Sequence, residues 1–148
     1  MKSPLLLLLF FLLTHLYAND DTALKKMIGR MLLVGFETSV VNKNSPIVHD
    51  IQGYDLGGVI LFDRFYKDRN RTKNIASPEQ LGALSAQLKS FSKKPLLISI
   101  DQEGGRVARL KPEYGFLKIP SAFCVASLSY EIATSIYRQQ AKMLRENG

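Results

Sequence analysis

The sequence predicts an α/β fold built on a parallel sheet, and three observations carry that prediction. Three short runs, Leu32-Leu33-Val34-Gly35-Phe36, Val59-Ile60-Leu61-Phe62 and Leu96-Leu97-Ile98-Ser99-Ile100, are mostly apolar at both alternating positions, as strands covered on both faces are. Segments of helical period separate them, so strand, helix, strand, helix, strand, helix is the order, the pattern of right-handed parallel crossovers. The second and third runs each stop at an acid, Asp63 and Asp101, and the carboxyl ends of parallel strands are where such folds bind ligands. Periodicity does not separate an open doubly wound sheet from a barrel, and no glycine-rich phosphate loop of the dinucleotide or P-loop type follows any strand.

The elements follow in order. Asp20, Asp21 and Thr22 offer caps for a lead-in helix whose Leu24, Met27, Ile28 and Met31 recur at spacings of three and four. The first strand run then ends in a polar loop from Glu37 to Ser45. Pro46 opens a helix in which Ile47, Ile51 and Tyr54 share one face, with Gly57-Gly58 expected to end it and His49 on its polar side. Ser77-Pro78-Glu79-Gln80 is a helix start: serine at the cap, proline at the first position, glutamine three residues on to close a capping box. Leu81, Leu84, Leu88 and Phe91 form the core-facing stripe of that helix, and Pro95 breaks the chain into the third strand. A long loop containing Pro112, Gly115 and Pro120 leads to a last helix from about Ser129 to Asn147, with Ile132, Ile136, Met143 and Leu144 inward.

The stretch after the third strand carries the functional signal. In Ile100-Asp101-Gln102-Glu103-Gly104-Gly105-Arg106-Val107-Ala108-Arg109-Leu110 the glycine pair allows a sharp turn and close approach to a ligand, because neither residue has a Cβ. Asp101 stands at the strand end, and Arg106 and Arg109 bring guanidinium donors suited to hydroxyls or carboxylates. On pattern alone, a solvated ion-pair turn is the competing reading.

This stretch resembles the signature of glycoside hydrolase family 3, particularly its β-N-acetylhexosaminidase branch. The resemblance runs from Lys26-Met27-Ile28-Gly29-Arg30-Met31-Leu32-Leu33-Val34-Gly35-Phe36, through Gly57-Gly58-Val59-Ile60-Leu61-Phe62 and Ser77-Pro78-Glu79-Gln80-Leu81, to Ile119-Pro120-Ser121-Ala122. It covers nearly all of residues 24–148. It implies a (β/α)8 TIM barrel, of which this chain would carry about three β/α units, since a whole barrel takes ~250 residues. It also implies retaining hydrolysis of terminal β-linked N-acetylglucosaminides, peptidoglycan-derived or related, by a nucleophilic aspartate and an acid/base histidine on a mobile loop. By position, Asp101 is the sugar-binding aspartate and Arg109 the sugar-site arginine, with Glu103 and Arg106 bracing the loop.

The nucleophile and the histidine loop have no counterpart in the sequence, so catalytic residues are expected only beyond Gly148. The chain reads as an amino-terminal fragment, inactive by itself, with an unpaired sheet edge that predicts poor solubility. Two other readings stay open: a non-enzymatic saccharide-binding or interaction module, and an unrelated α/β anion-binding protein.

Composition narrows the rest. Lys2 followed by Leu5 to Leu13, all leucine or phenylalanine, and then Thr14 to Ala18, reads as a signal peptide over residues 1–18 with the cut after Ala18. Its apolar core is too short for a stable membrane span, and the protein is expected to be exported, periplasmic or secreted. The net charge is +7, much of it in Arg64, Lys67, Arg69, Arg71 and Lys73, which read as a solvated loop rather than a nucleic-acid site because no binding motif accompanies them. The sole cysteine, Cys124, excludes an intramolecular disulfide; with His49 the only histidine after residue 18, no metal-ligand cluster is spaced for binding, and no cofactor is expected. Both residues read as structural. Asn70-Arg71-Thr72 is a short glycosylation acceptor pattern.

Overall fold

The structure, a computed structural model, describes residues 21–148. The signal peptide expected over residues 1–18, its cut after Ala18 and the Asp20 cap lie outside the described residues. The described chain begins in helix α1, residues 21–29, and continues through β1 (Leu33–Gly35), α2 (Pro46–Tyr54), β2 (Gly58–Leu61), α3 (Pro78–Phe91) and β3 (Leu97–Ile100). The three strands form one parallel sheet in the order β1-β2-β3, as the crossover pattern predicts. Beyond β3 the chain makes a small antiparallel pair, β4 (Gln102–Gly104) with β5 (Val107–Ala108), then a 3-10 turn at Pro112–Tyr114, α4 (Ala122–Ala126) and α5 (Tyr130–Glu146). Where the sequence predicts a long loop, α4 forms because Ser121 caps it by accepting from the Cys124 amide at 3.3 Å.

The sheet register sets two faces. Val34, Val59 and Ile98 form one row, and Leu33, Gly58 and Leu97 form the next, on the opposite face. The Val59 row packs with Leu61 against Ile47, Val48 and Ile51 of α2 and Leu81, Leu84 and Leu88 of α3. Each fully buried side chain of this kind stabilises by about 1.5–3 kcal/mol. The opposite row is different: Leu33 is 49% and Leu97 59% exposed. The expectation of strands covered on both faces therefore fails at Leu33 and Leu97 on the edge strands, while Gly58 of β2, which has no side chain, is buried between those two residues.

Other boundaries also move. Helix α2 stops at Tyr54, before the glycine pair, because Asp55 takes the left-handed conformation (φ 51°) at its C-cap. An aspartate tolerates that conformation better than most residues. The glycines serve a close approach instead: a Cβ on Gly57 would lie 2.0 Å from the Arg30 carbonyl oxygen, and Gly57 N–H donates to the Gly29 carbonyl at 3.0 Å. In α3, Ser77 accepts from the Gln80 amide at 3.2 Å, yet Gln80 Oε1 accepts from the Ala76 amide at 2.9 Å, so the predicted capping box closes one residue early. The apolar stripes of α1 and α5 are only partly inward. Leu24, Met27, Ile28, Met31 and Ile132 are exposed, while Met143 is buried against the core.

Candidate functional site

Two carboxylates stand where consecutive parallel strands end. After β2 the chain passes Phe62 to Asp63, whose side chain is 4% exposed. Its Oδ2 accepts from Lys111 Nζ at 2.5 Å and lies 3.4 Å from Arg64 Nε, and its Oδ1 lies 3.8 Å from Arg109 Nη1. A buried carboxylate is tolerable only when its charge is compensated in this way. After β3 comes Asp101, whose side chain is 45% exposed and accepts from Arg109 Nη2 at 3.2 Å. Arg109 thus lies between the two acids, with its guanidinium 5.5 Å from the centroid of the Phe62 ring.

The turn that carries Arg109 back to Asp101 is built by backbone geometry. Gly104 and Gly105 adopt φ 85° and 58°, values that L side chains rarely reach. A Cβ on Gly104 would fall 2.1 Å from the Pro120 carbonyl oxygen, so the space the glycine pair leaves is filled by the chain itself rather than by a ligand. Gln102 fixes the returning strand. Its Oε1 accepts from the backbone amides of both Arg109 and Leu110 at 2.9 Å, and its own carbonyl accepts from Gln140 Nε2 of α5. Glu103 and Arg106, expected to brace this loop, are exposed and make no ion pair among the described residues. The brace is Gln102, which the sequence marks only by its alternate position opposite Glu103 in a two-residue period.

A second polar brace went unmarked in the sequence. Asn74 is fully buried: its Oδ1 accepts from the Phe62 amide at 3.0 Å, and its Nδ2 donates to the Phe36 and Thr38 carbonyls at 3.1 and 2.8 Å. It ties the carboxyl ends of β1 and β2 together. No local pattern announces such a residue, since its partners lie 12 to 38 positions away.

The basic segment is solvated as expected, with residues 66–72 all exposed, and it is also folded into an ordered arm. Phe65 and Lys73 donate backbone hydrogen bonds to the Arg71 and Asp63 carbonyls at 3.3 and 2.9 Å, folding residues 63–73 back on themselves. The Arg71 guanidinium sits 4.3 Å over the Phe65 ring, and Lys73 Nζ lies 5.0 Å from the Phe62 ring. Arg64 turns inward to the Tyr114 hydroxyl at 3.0 Å and to Glu113. The Tyr114 phenol, more than Glu113 or Asp63, holds the Arg64 guanidinium above its already high ordinary pKa. A cleft of about 600 Å³ opens between this arm and Arg106, Arg109 and Lys111. His49 lies exposed on α2, and Cys124 is exposed and unpaired.

Together these groups suit recognition of a polyhydroxylated ligand. Asp101 keeps acceptor capacity open to solvent, Arg109 donates to it, and the buried Asp63 anchors both arginine and lysine. Comparisons with known proteins identify the family. Residues 23–148 match the family described as "Glycosyl hydrolase family 3 N terminal domain". A beta-hexosaminidase of Alkalilimnicola ehrlichii is 42% identical over 73 residues, covering 49% of this chain and 18% of that protein. One from Vibrio cholerae is 39% identical over 90 residues, covering 52% of this chain and 24% of the relative. Among solved structures, a glycoside hydrolase family 3 beta-N-acetylglucosaminidase from Paenibacillus sp. str. FPU-7 superposes with a TM-score of 0.69 at 30% identity, over 83% of this chain and 22% of that one. The chain thus spans about a fifth of the length of the relatives it matches.

Proposed function

The chain belongs to glycosyl hydrolase family 3 through its amino-terminal domain, and from that premise we propose that Asp101 and Arg109 hold a terminal N-acetylhexosamine of a saccharide. The parallel β/α sheet is the first part of a (β/α) barrel, in which sites lie at the carboxyl ends of strands. The observation that carries the reading is the Asp101–Arg109 pair: 3.2 Å apart, at the end of β3, with the carboxylate nearly half exposed and therefore able to accept from further hydroxyls. A carboxylate fixed by one guanidinium orients a neutral sugar without attacking it. The relatives named as beta-hexosaminidases support the sugar class.

In this reading the two acids bind and brace, and neither cleaves. Retaining hydrolysis needs a nucleophilic carboxylate and a separate proton donor flanking the bond. Asp63 is occupied by lysine and arginine, and the one histidine of the described residues lies exposed on α2. The protein is proposed to be exported, on the strength of the leucine-rich first residues and their polar boundary.

The test combines binding with turnover. Titration of the chain with N-acetylglucosamine, followed by NMR, is expected to shift the Asp101 and Arg109 amides, and Asp101→Asn to abolish the response. A chromogenic N-acetylglucosaminide is expected to remain uncleaved. Turnover that disappears in Asp101→Asn would overturn the binding-only role, and absence of any sugar response in the folded chain would overturn the site.

A further inference from the structure

Beside the Asp101–Arg109 pair, and sharing Arg109 with it, lies a cleft whose other charges that pair does not use. Its walls carry six cations, Arg64, Arg69, Lys73, Arg106, Arg109 and Lys111, against one carboxylate, Asp63. Asp63 is already shared by Lys111, Arg64 and Arg109. Arg69, Lys73 and Arg106 have no carboxylate within salt-bridge distance among the described residues. Three uncompensated cations around one concave surface repel each other and raise the local potential, which a bound anion relieves. Two of the three are guanidiniums, whose paired donors match planar or tetrahedral oxyanions.

The cleft is also held in shape. Lys73 is placed by the Phe62 and Phe65 rings at 5.0 and 5.8 Å, and its backbone amide donates to the Asp63 carbonyl. Tyr66 stands at the rim, 90% exposed, with its ring open to the face of a sugar. Arg109 is shared: it lines the cleft and at the same time donates to Asp101.

We propose that this cleft is an anionic subsite, taking a carboxylate, sulfate or phosphate ester carried by the same saccharide that Asp101 and Arg109 hold. The proposal rests on the saccharide reading of that pair. The shared arginine makes the two subsites neighbours, so a charged group on one sugar, or on the sugar joined to it, reaches Arg69 and Arg106 while the neutral ring stays at Asp101. The basic arm then selects charged over neutral saccharides.

Calorimetric titration of the full chain at low salt tests this with N-acetylglucosamine, its O3-, O4- and O6-sulfates, and inorganic sulfate alone. At least one sulfated sugar is expected to bind about tenfold more tightly than the neutral one, with a preference that falls as salt rises. The double variant Arg69→Ala, Arg106→Ala, at two exposed positions, is expected to bring that sugar down to the neutral sugar's affinity. Equal binding of neutral and sulfated sugars, or a preference that survives the double variant, overturns the anionic subsite. Inorganic sulfate binding as tightly as the sulfated sugar overturns its link to a saccharide. Failure of the neutral sugar alone would instead strike the Asp101–Arg109 reading, and would appear as loss of any difference between Asp101→Asn and the parent chain.

Discussion

Asp63 and Asp101 occupy equivalent places in sequence, each closing an apolar strand, yet the fold gives them opposite environments. Asp63 is 4% exposed with three cationic neighbours, whereas Asp101 is 45% exposed with one. The difference arises from what crosses each strand end. Lys111 and the basic arm fold over β2, while the β4–β5 turn returns only Arg109 to the end of β3. An acid at a strand end is therefore left open to a ligand only when nothing nearer has claimed it.

Substitution should separate the two most sharply. Asp63→Asn leaves Lys111, Arg64 and Arg109 around a neutral amide, and removing one partner from a buried ion cluster costs about 3–5 kcal/mol. Because those cations keep a quarter to a third of their exposure, the lower end, about 3 kcal/mol, is expected as a fall in urea midpoint. Asp101→Asn, breaking an exposed pair, is expected to cost less than about 1 kcal/mol while eliminating the sugar response. Equal destabilisation by the two variants would erase the distinction.

The brace beneath the pair should give an intermediate effect. Gln102→Ala leaves the Arg109 and Leu110 amides without their acceptor, at about 2 kcal/mol for two buried donors, partly offset by water at Arg109. Faster hydrogen exchange at those two amides, with the β1–β2–β3 amides unchanged, is the expected signature; protection spread evenly would mean that Gln102 positions nothing.

The smallest effect lies away from both acids. Glu79, in the first turn of α3, has its carboxyl pKa lowered, first by its own backbone amide and then by the Ser77 hydroxyl. A lowered folded value means that its contribution is complete above the ordinary glutamate value of 4.5 and is lost as the pH falls through the folded value. Thermal midpoints measured downward from pH 5 should fall less steeply in Glu79→Gln than in the parent chain, whereas the Asp63 and Asp101 variants should keep the Glu79 part of that slope.

Much of the fold was legible in the residues. The three strand runs, the Ser77-Pro78 helix start and the parallel order all depend on local propensity and on period, which neighbouring residues alone express. The Asp101 and Arg109 positions were legible through their motif, and the structure brings them within hydrogen-bond distance. Gln102 and Asn74 were not, because a buried amide is defined by partners distant in sequence.

The sequence by itself determined the β/α alternation, the family signature and the two strand-end acids. Only the tertiary structure decided which acid is buried, which residue braces the turn, and that the basic arm folds into a cleft beside Arg109. The reason is physical: backbone propensity and hydrophobic period act over a few residues, whereas burial of a charge and its compensation depend on segments such as residues 63–73 and 101–111 meeting in space.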